Sequence, residues 1–448
     1  MTATLPDRGP RALARARAAE QAGPPRQPLL ARPLASYHLL LSCTVLLLVL
    51  GLVMVFSASS MRAYATTGSV FSTGIKQGTF IAFGVPVMLI ASRLPVRVFR
   101  AAAYPVLLLS LALLVAVLLP GVGNRVNGAT SWIPLPLGFN LQPAEIAKLA
   151  LVLWGADLLV RKQKLLHIRR HLLVPLVPVT LVVLGLVLLQ PDLGTSVALA
   201  SIVVALLWVV GTPMRIFGML VGACIAGVAA IAVSSPHSMS RLTSFRDPFA
   251  DAGNTGYQAV QGFYALSSGG IFGRGLGASK EKWSGGLPEA HTDYVFAIIG
   301  EELGLLGTLT VVALFGVLLY CGIRIAQRAT DPFVRLASFG ITAWLGCQAI
   351  INMGAVVGLL PITGIPLPLV SFGGSALLVT LAAIGMLLSF ARAEPGAAAA
   401  LRTGQGLRGR LRGSAGTPVV RQRTTERAGR PVPRQASRTT TRRPTGRR

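Results

Sequence analysis

Acidic side chains are scarce in this chain. Fifteen Asp and Glu stand against 42 Lys and Arg in 448 residues, and charged types of both signs make up only 13%. An ordinary water-soluble domain carries about 25%, so this composition excludes one. Aromatics are few as well, at 6%. The four cysteines, Cys43, Cys224, Cys321 and Cys347, sit inside or at the ends of apolar runs, a placement that excludes a disulfide or zinc framework. No repeat at the periods typical of solenoids is visible, and the two halves of the chain are not obviously similar, which argues against an inverted-repeat transporter. A cleavable signal peptide is not expected either, because the first long apolar segment follows some 35 polar, proline-rich residues.

What the chain has in abundance is apolar surface: 52% hydrophobic residues and a mean hydropathy of +0.64. These values predict an all-α polytopic membrane protein. Crossing a bilayer takes about 20 apolar residues, and about ten stretches qualify. They are Tyr37–Ser57, Gln77–Ser92, Ala101–Pro120, Pro143–Val160, Leu172–Gln190, Leu193–Val210, Met214–Val233, Asp293–Tyr320, Val334–Leu360 and Leu367–Phe390.

The net charge of +27 belongs mostly to the two ends. Residues 1–36 form a basic tail, 37–393 the transmembrane domain, and 394–448 an Arg-rich tail whose composition predicts disorder. Beside membrane helices, basic tails match anionic lipid headgroups, at roughly 1 kcal/mol per residue near the surface. Membrane lipids are therefore the expected partners of the tails, and nucleic acid is not. The short loops orient the domain, because Lys and Arg concentrate on the cytoplasmic side. Arg93, Arg97 and Arg100, then Arg161, Lys162, Lys164, Arg169 and Arg170, then Arg215, then Arg324, Arg328 and Arg335, fill alternate loops. With ten spans, both termini fall on that same side. The long loop between the seventh and eighth spans, 234–292, is then extracytoplasmic. Its Tyr257, Phe263, Tyr264, Phe272 and Trp283 among glycines predict a folded cap.

Carboxylates at membrane depth are costly unless paired or wet, so each acid can be weighed alone. Asp7, Glu20, Glu394 and Glu426 in the tails read as solvated charges, as do Asp331 in a cytoplasmic loop and Asp157 at the cytoplasmic end of the fourth span. Asp247, Asp251 and Glu281 lie near Arg241, Arg246, Lys280 and Lys282, where weak surface pairing is expected. Asp192, in a tight turn before the sixth span, is placed to cap it. Glu145 and Lys148 share a helix face; they form either an internal ion pair or a site in which Glu145 holds Lys148 against an anionic substrate. Glu301 and Glu302 read as structural, bonded to neighbouring helices or paired with Lys148. Gly300, Gly304 and Gly307 would admit a close neighbour.

Asp293 is different. It stands at the water boundary beside Glu289 and His291, either at the start of the helix or as a base. Desolvation and like charge there can raise a carboxyl pKa toward working range. Just before it, the Gly-rich basic segment 269–282, with Arg274, Lys280 and Lys282, has the amides and cations to hold a pyrophosphate. The prolines of 361–368, leading to Ser371 and Gly373, interrupt helix where irregular backbone must line a cavity or be buried in protein.

Leu287 to Asp293, Ile299 to Gly304 and Pro361 to Ser375 together resemble the SEDS family of shape, elongation, division and sporulation proteins. Asn127-Gly-Ala, Trp132-Ile, Gln142 to Lys148 and Gln190 to Thr195 match in the same order. The resemblance spans about Tyr37 to Ala393, and is nearer the actinobacterial division branch than the elongation branch. It implies a peptidoglycan glycosyltransferase that polymerises lipid II into a lipid-linked glycan strand on the outer leaflet, at the division septum of a bacterial cell membrane. It also implies a class B penicillin-binding protein and other divisome proteins as partners. Mapped by motif, the essential aspartate of the family falls on Asp293 and a conspicuous tryptophan on Trp132. Ser131 stands where many members have Arg, and Phe372 where Tyr is usual. With Asp293 as catalytic base, the candidate substrate-binding residues are Trp132, Lys148, Glu145, Arg274, Lys280, Lys282, Glu289, His291 and Ser371. Mg²⁺ or another divalent cation is a candidate bridge to the diphosphate, and no organic cofactor is expected. The competing readings are a lipid II flippase, an elongation-type polymerase and a non-catalytic divisome scaffold.

Overall fold

The computed structural model describes residues 34–126, 129–136, 139–165, 173–234, 239, 244–283 and 286–397. The basic tail before residue 34, the Arg-rich tail after residue 397, Asn127, Arg169, Arg170 and Arg241 lie outside these residues, as does the side chain of Cys224.

A helix forms at each of the ten predicted stretches. They are α1 Ala35–Thr67, α2 Ser72–Ala91, α3 Val96–Ala116, α4 Pro143–Arg161, α5 Leu176–Leu188, α6 Leu193–Val209, α7 Met214–Ser234, α9 Val295–Arg328, α10 Pro332–Val356 and α11 Gly374–Arg392; α8, Tyr257–Gly269, lies in the long loop. Six of them, α1, α2, α3, α9, α10 and α11, are long and apolar enough to cross a membrane; α5, α6 and the first part of α7 are shorter apolar helices. The chain is a mostly helical, multi-pass membrane protein. Val45, Leu46 and Val49 of α1, Leu108 and Leu109 of α3, and Leu305, Leu306 and Leu309 of α9 are exposed, an outward apolar face suited to hydrocarbon.

The core lies around α4, which packs against α3, α5, α6, α10 and α11 and is buried through nearly its whole length. A helix apolar all round belongs in such a position. Its three buried charged residues, Glu145, Lys148 and Asp157, therefore need partners within the protein. On the other side of the bundle, α1 packs against α2 and α9, and α2 against α11. Gly51 of α1 lies so close to the proline-rich segment that an added Cβ would meet the Leu369 carbonyl at 2.6 Å and Val370 Cα at 2.7 Å.

Three features depart from expectation. A small antiparallel sheet, β1 Asn124–Val126, β2 Ala129–Leu135 and β3 Phe139–Leu141, joins α3 to α4 in the order β1-β2-β3; strands of three residues carry too little alternation to be read from sequence. The helix α1 continues well past Ser57 through a polar stretch to Thr67, carrying Arg62 with it. The last helix starts at Gly374 rather than Leu367, because Pro366 and Pro368 hold the segment before it irregular.

The bundle has two chemically different ends. At one, Arg100 and Arg161 both bond Asp157, Arg392 donates to the Ser92 carbonyl at 3.2 Å, and Arg328 pairs with Glu394 at 3.7 Å. Asp157 and Glu394 are buried, at 0% and 6% exposure, so reading them as solvated charges was wrong. Asp331 caps α10 by accepting from the Phe333 amide at 2.8 Å. The other end carries α8, the sheet and the candidate site.

Candidate active site

The turn before α9 is built on Glu289, whose φ of 54° lies in the left-handed region. Its carbonyl accepts from the amides of Thr292 at 3.1 Å and Tyr294 at 3.3 Å. Asp293 is held between them, half-buried and two residues ahead of the first helical residue. Tyr294, not Asp293, occupies the cap position. Two distant segments pin the turn by its carbonyls. Phe372 N–H donates to His291 O at 2.9 Å, and Asn352 Nδ2 donates to Asp293 O at 2.8 Å.

The flanking side chains form a charged set. Arg62, from the end of α1, bonds Glu289 Oε1 at 3.1 Å, and Thr292 Oγ1 donates to Glu289 Oε2 at 3.0 Å. Burial opposes ionisation of Glu289, yet Arg62 and Thr292 hold its carboxyl below the ordinary range. Burial pushes the His291 imidazole below its ordinary value, although Glu289 pulls the other way. The His291 ring lies 5.7 Å from that of Phe372.

The Gly-rich basic segment is docked rather than loose. Gly304 interrupts α9 with φ 69° and ψ −164°; the amides of Leu305 and Leu306 bond the Gly270 and Ile271 carbonyls, and the carbonyls of Glu301 and Glu302 accept from the amides of Arg274 and Gly275, at 2.9 and 3.0 Å. Below them, Glu301 accepts from Ser279 Oγ at 2.6 Å and Lys280 N at 2.9 Å, with Arg274 Nη1 at 3.5 Å. Glu302 accepts from Ser57 Oγ at 2.6 and 2.8 Å and lies 3.4 Å from Lys282 Nζ. Lys282 is thus a buried partner of Glu302, not a member of a surface pair. Arg274 is tied to Glu301 and to the Ser268 carbonyl at 3.1 Å. The Lys280 side chain is exposed. Glu281 is raised by burial and by the neighbouring Glu301. The close neighbour admitted at Gly300 is Leu266 of α8, and at Gly304 the Ile271–Gly273 backbone, rather than another membrane helix.

Other candidates are spread more widely. Lys148 Nζ bonds Glu145 Oε1 at 2.7 Å and lies 5.1 Å from the centroid of the Trp344 ring. Both charges are buried, and Lys148 pairs with Glu145 instead of Glu301 or Glu302. Ser371 is buried and accepts from Leu367 N at 2.8 Å, closing the proline-rich turn. Trp132, half-buried on β2, stands opposite Asn124. Asp192 caps α6 through Thr195 N at 2.9 Å and accepts from Gln142 Nε2 at 3.0 Å. Among the described residues no group of three or more His, Cys, Asp and Glu converges as a metal site.

Sequence reasoning missed Arg62, and it picked out Asn352-Met-Gly together with the proline-rich stretch without giving Asn352 a role. A signal existed for Arg62, because a lone arginine at the end of the first span opposite the basic loops goes against the charge rule that orients the rest. Nothing in the sequence shows which carbonyls the Asn352 amide would meet.

The cell cycle protein family FtsW/RodA/SpoVE matches residues 37–395. A probable peptidoglycan glycosyltransferase FtsW of Mycobacterium tuberculosis is 44% identical over 376 residues, 84% of this chain and 71% of the relative. One from Geobacter metallireducens is 40% identical over 351 residues, 78% of this chain and 93% of the relative. Among solved structures, a chain from work on coordination of polymerization and crosslinking by a peptidoglycan synthase complex superposes with a TM-score of 0.64 at 28% identity, covering 79% of this chain and 97% of that one. The rod shape determining protein RodA of Thermus thermophilus superposes with a TM-score of 0.59, also at 28% identity, covering 79% and 96%. A match that runs through the whole helical domain, from the first span to the last, places the chain in the FtsW/RodA/SpoVE family.

Proposed function

We propose that the chain is a peptidoglycan glycosyltransferase that polymerises lipid II at the outer face of the membrane during septal division, with a class B penicillin-binding protein as partner. The naming of its relatives supports the activity and the division role. The arginine-rich end of the bundle supports a cytoplasmic placement for that end and for both termini, and with it an outer placement for the Asp293 end.

The observation that carries the chemistry is the Asp293 turn: a half-buried carboxylate at the bundle mouth, on backbone pinned from two other segments. Asp293 takes the proton from the acceptor sugar hydroxyl. The oxygen attacks the anomeric carbon of the lipid-linked strand with inversion, and the polyprenyl diphosphate leaves with the bonding pair. Preorganised charge favours that departure. Lys280 has an exposed side chain in the docked segment, and Arg62, though bonded to Glu289, keeps a half-exposed guanidinium beside the turn, whereas Lys282 and Lys148 are buried against carboxylates and Arg274 is tied to Glu301. No step is assigned to a divalent ion.

The test is polymerisation of purified lipid II with the partner present. General-base catalysis contributes about 10²- to 10⁴-fold, and Asp293→Asn should lose at least the lower figure. Retained polymer formation would overturn the assignment.

A further inference from the structure

We infer that Asn352 is a positioning residue for the Asp293 turn: its carboxamide is a two-donor clip that fixes the backbone carrying the base. The inference rests on the assignment of Asp293 as that base.

Asn352 lies on α10, 59 positions from Asp293 in sequence and 3% exposed. One side-chain nitrogen serves two carbonyls, Asp293 O at 2.8 Å and Ile365 O at 2.8 Å. Both partners are acceptors only, so the amide must present NH₂ to them. The clip joins three segments: α10, the turn ahead of α9 and the proline-rich segment. The prolines of the last segment, Pro361, Pro366 and Pro368, have no amide hydrogen, and the Leu367, Val370 and Ser371 amides bond within the segment itself. Its first amide to reach the turn is that of Phe372, which bonds His291 O. Carbonyls 291 and 293 are therefore held from different sources.

The two attachments make the proposal testable without dismantling the site. Losing Asn352 leaves the Phe372 bond and the Glu289 turn bonds, so the turn persists while the Asp293 peptide gains freedom. Misplacing a reacting group by about 1 Å can cost on the order of 100-fold, and that cost falls on kcat. Affinity for the lipid-linked substrate, set by other contacts, should change little.

The experiment compares Asn352→Ala, Asn352→Asp and Asn352→Ser in the full-length chain with its partner, using purified lipid II and recording kcat, KM and the pH profile of kcat/KM. Aspartate is the same size as asparagine but, when ionised, sets oxygen against two carbonyls. If donation is the role, Asn352→Asp falls as far as Asn352→Ala, about 10- to 100-fold in kcat with KM within threefold, and Asn352→Ser, with one donor left, falls less. The added anion should also shift the acid limb of the Asn352→Asp profile upward. If packing is the role, Asn352→Asp behaves like wild type and Asn352→Ala does not, which overturns the inference. Loss of partner assembly in all three variants also overturns it, since Asn352 then belongs to the fold. Asp293→Asn, run alongside, separates the two claims. Activity in that variant refutes the base, whereas an inactive Asp293→Asn with Asn352 variants of near wild-type kcat refutes only the clip.

Discussion

Arg62 and Glu289, separated by 227 positions in sequence, are joined by a 3.1 Å bond from Nη1 to Oε1. It ties the far end of α1 to the turn that carries Asp293. The pair is half-exposed, with side-chain accessibilities of 56% and 29%, and exposed pairs typically contribute about 1 kcal/mol or less. Arg62→Ala should therefore leave thermal stability nearly unchanged while lowering polymerisation severalfold. A double-mutant cycle with Glu289→Gln reads the coupling. Strictly additive effects would mean that the bond does nothing for the turn.

The Arg100–Asp157–Arg161 cluster predicts an asymmetry. Asp157 is fully buried, whereas the Arg100 and Arg161 side chains are 37% and 60% exposed. Removing the acid leaves cations that water can reach; removing both arginines strands a buried carboxylate, a loss of about 3–5 kcal/mol. The Arg100→Ala/Arg161→Ala double variant should unfold at a clearly lower temperature than Asp157→Asn in detergent. The reverse order would refute this reading.

Gly304 adopts a backbone conformation open almost only to glycine, and alanine there would carry about 1–3 kcal/mol of strain and press on the Ile271 carbonyl. Gly304→Ala should loosen the segment docked on Glu301 and Glu302. Limited proteolysis at Arg274 and Lys280 is the readout, and unchanged cleavage would count against the docking role.

For His291 the sign follows from its depressed pKa. The unfolded state takes up the proton first as pH falls below the ordinary 6.5, so the stabilisation is full above that value and is lost on the way down to the folded pKa. Melting in detergent should weaken as pH falls below about 6.5 toward the lower folded-state pKa, and His291→Gln should flatten that slope. An identical slope in the variant would remove His291 as its source.

The membrane architecture was legible because hydropathy is a property of composition, and ten long apolar stretches survive any detail of packing. The sheet and α8 were not, because short elements in a polar loop carry little periodicity. In the site, Asp293 stood out because an acid at the mouth of an apolar helix is costly. The Glu145–Lys148 pair was legible from its three-residue spacing on one helix, whereas the long-range pairing of Ser57 and Lys282 with Glu302 was not. Asp157 looked like solvated charge at a helix end because sequence cannot show that α3 brings Arg100 beside it.

The close approach at Gly51 makes α1 a strut with two attachments. Near its middle the helix rests on the Leu369–Val370 backbone, two residues before the Phe372 amide that holds His291. At its far end Arg62 grips Glu289. The helix is 33 residues long, about 50 Å at 1.5 Å per residue. A tilt of this one rod would therefore reach the Asp293 turn along two routes at once, and a single side chain added at residue 51 would be felt there through the Leu369–Val370 backbone.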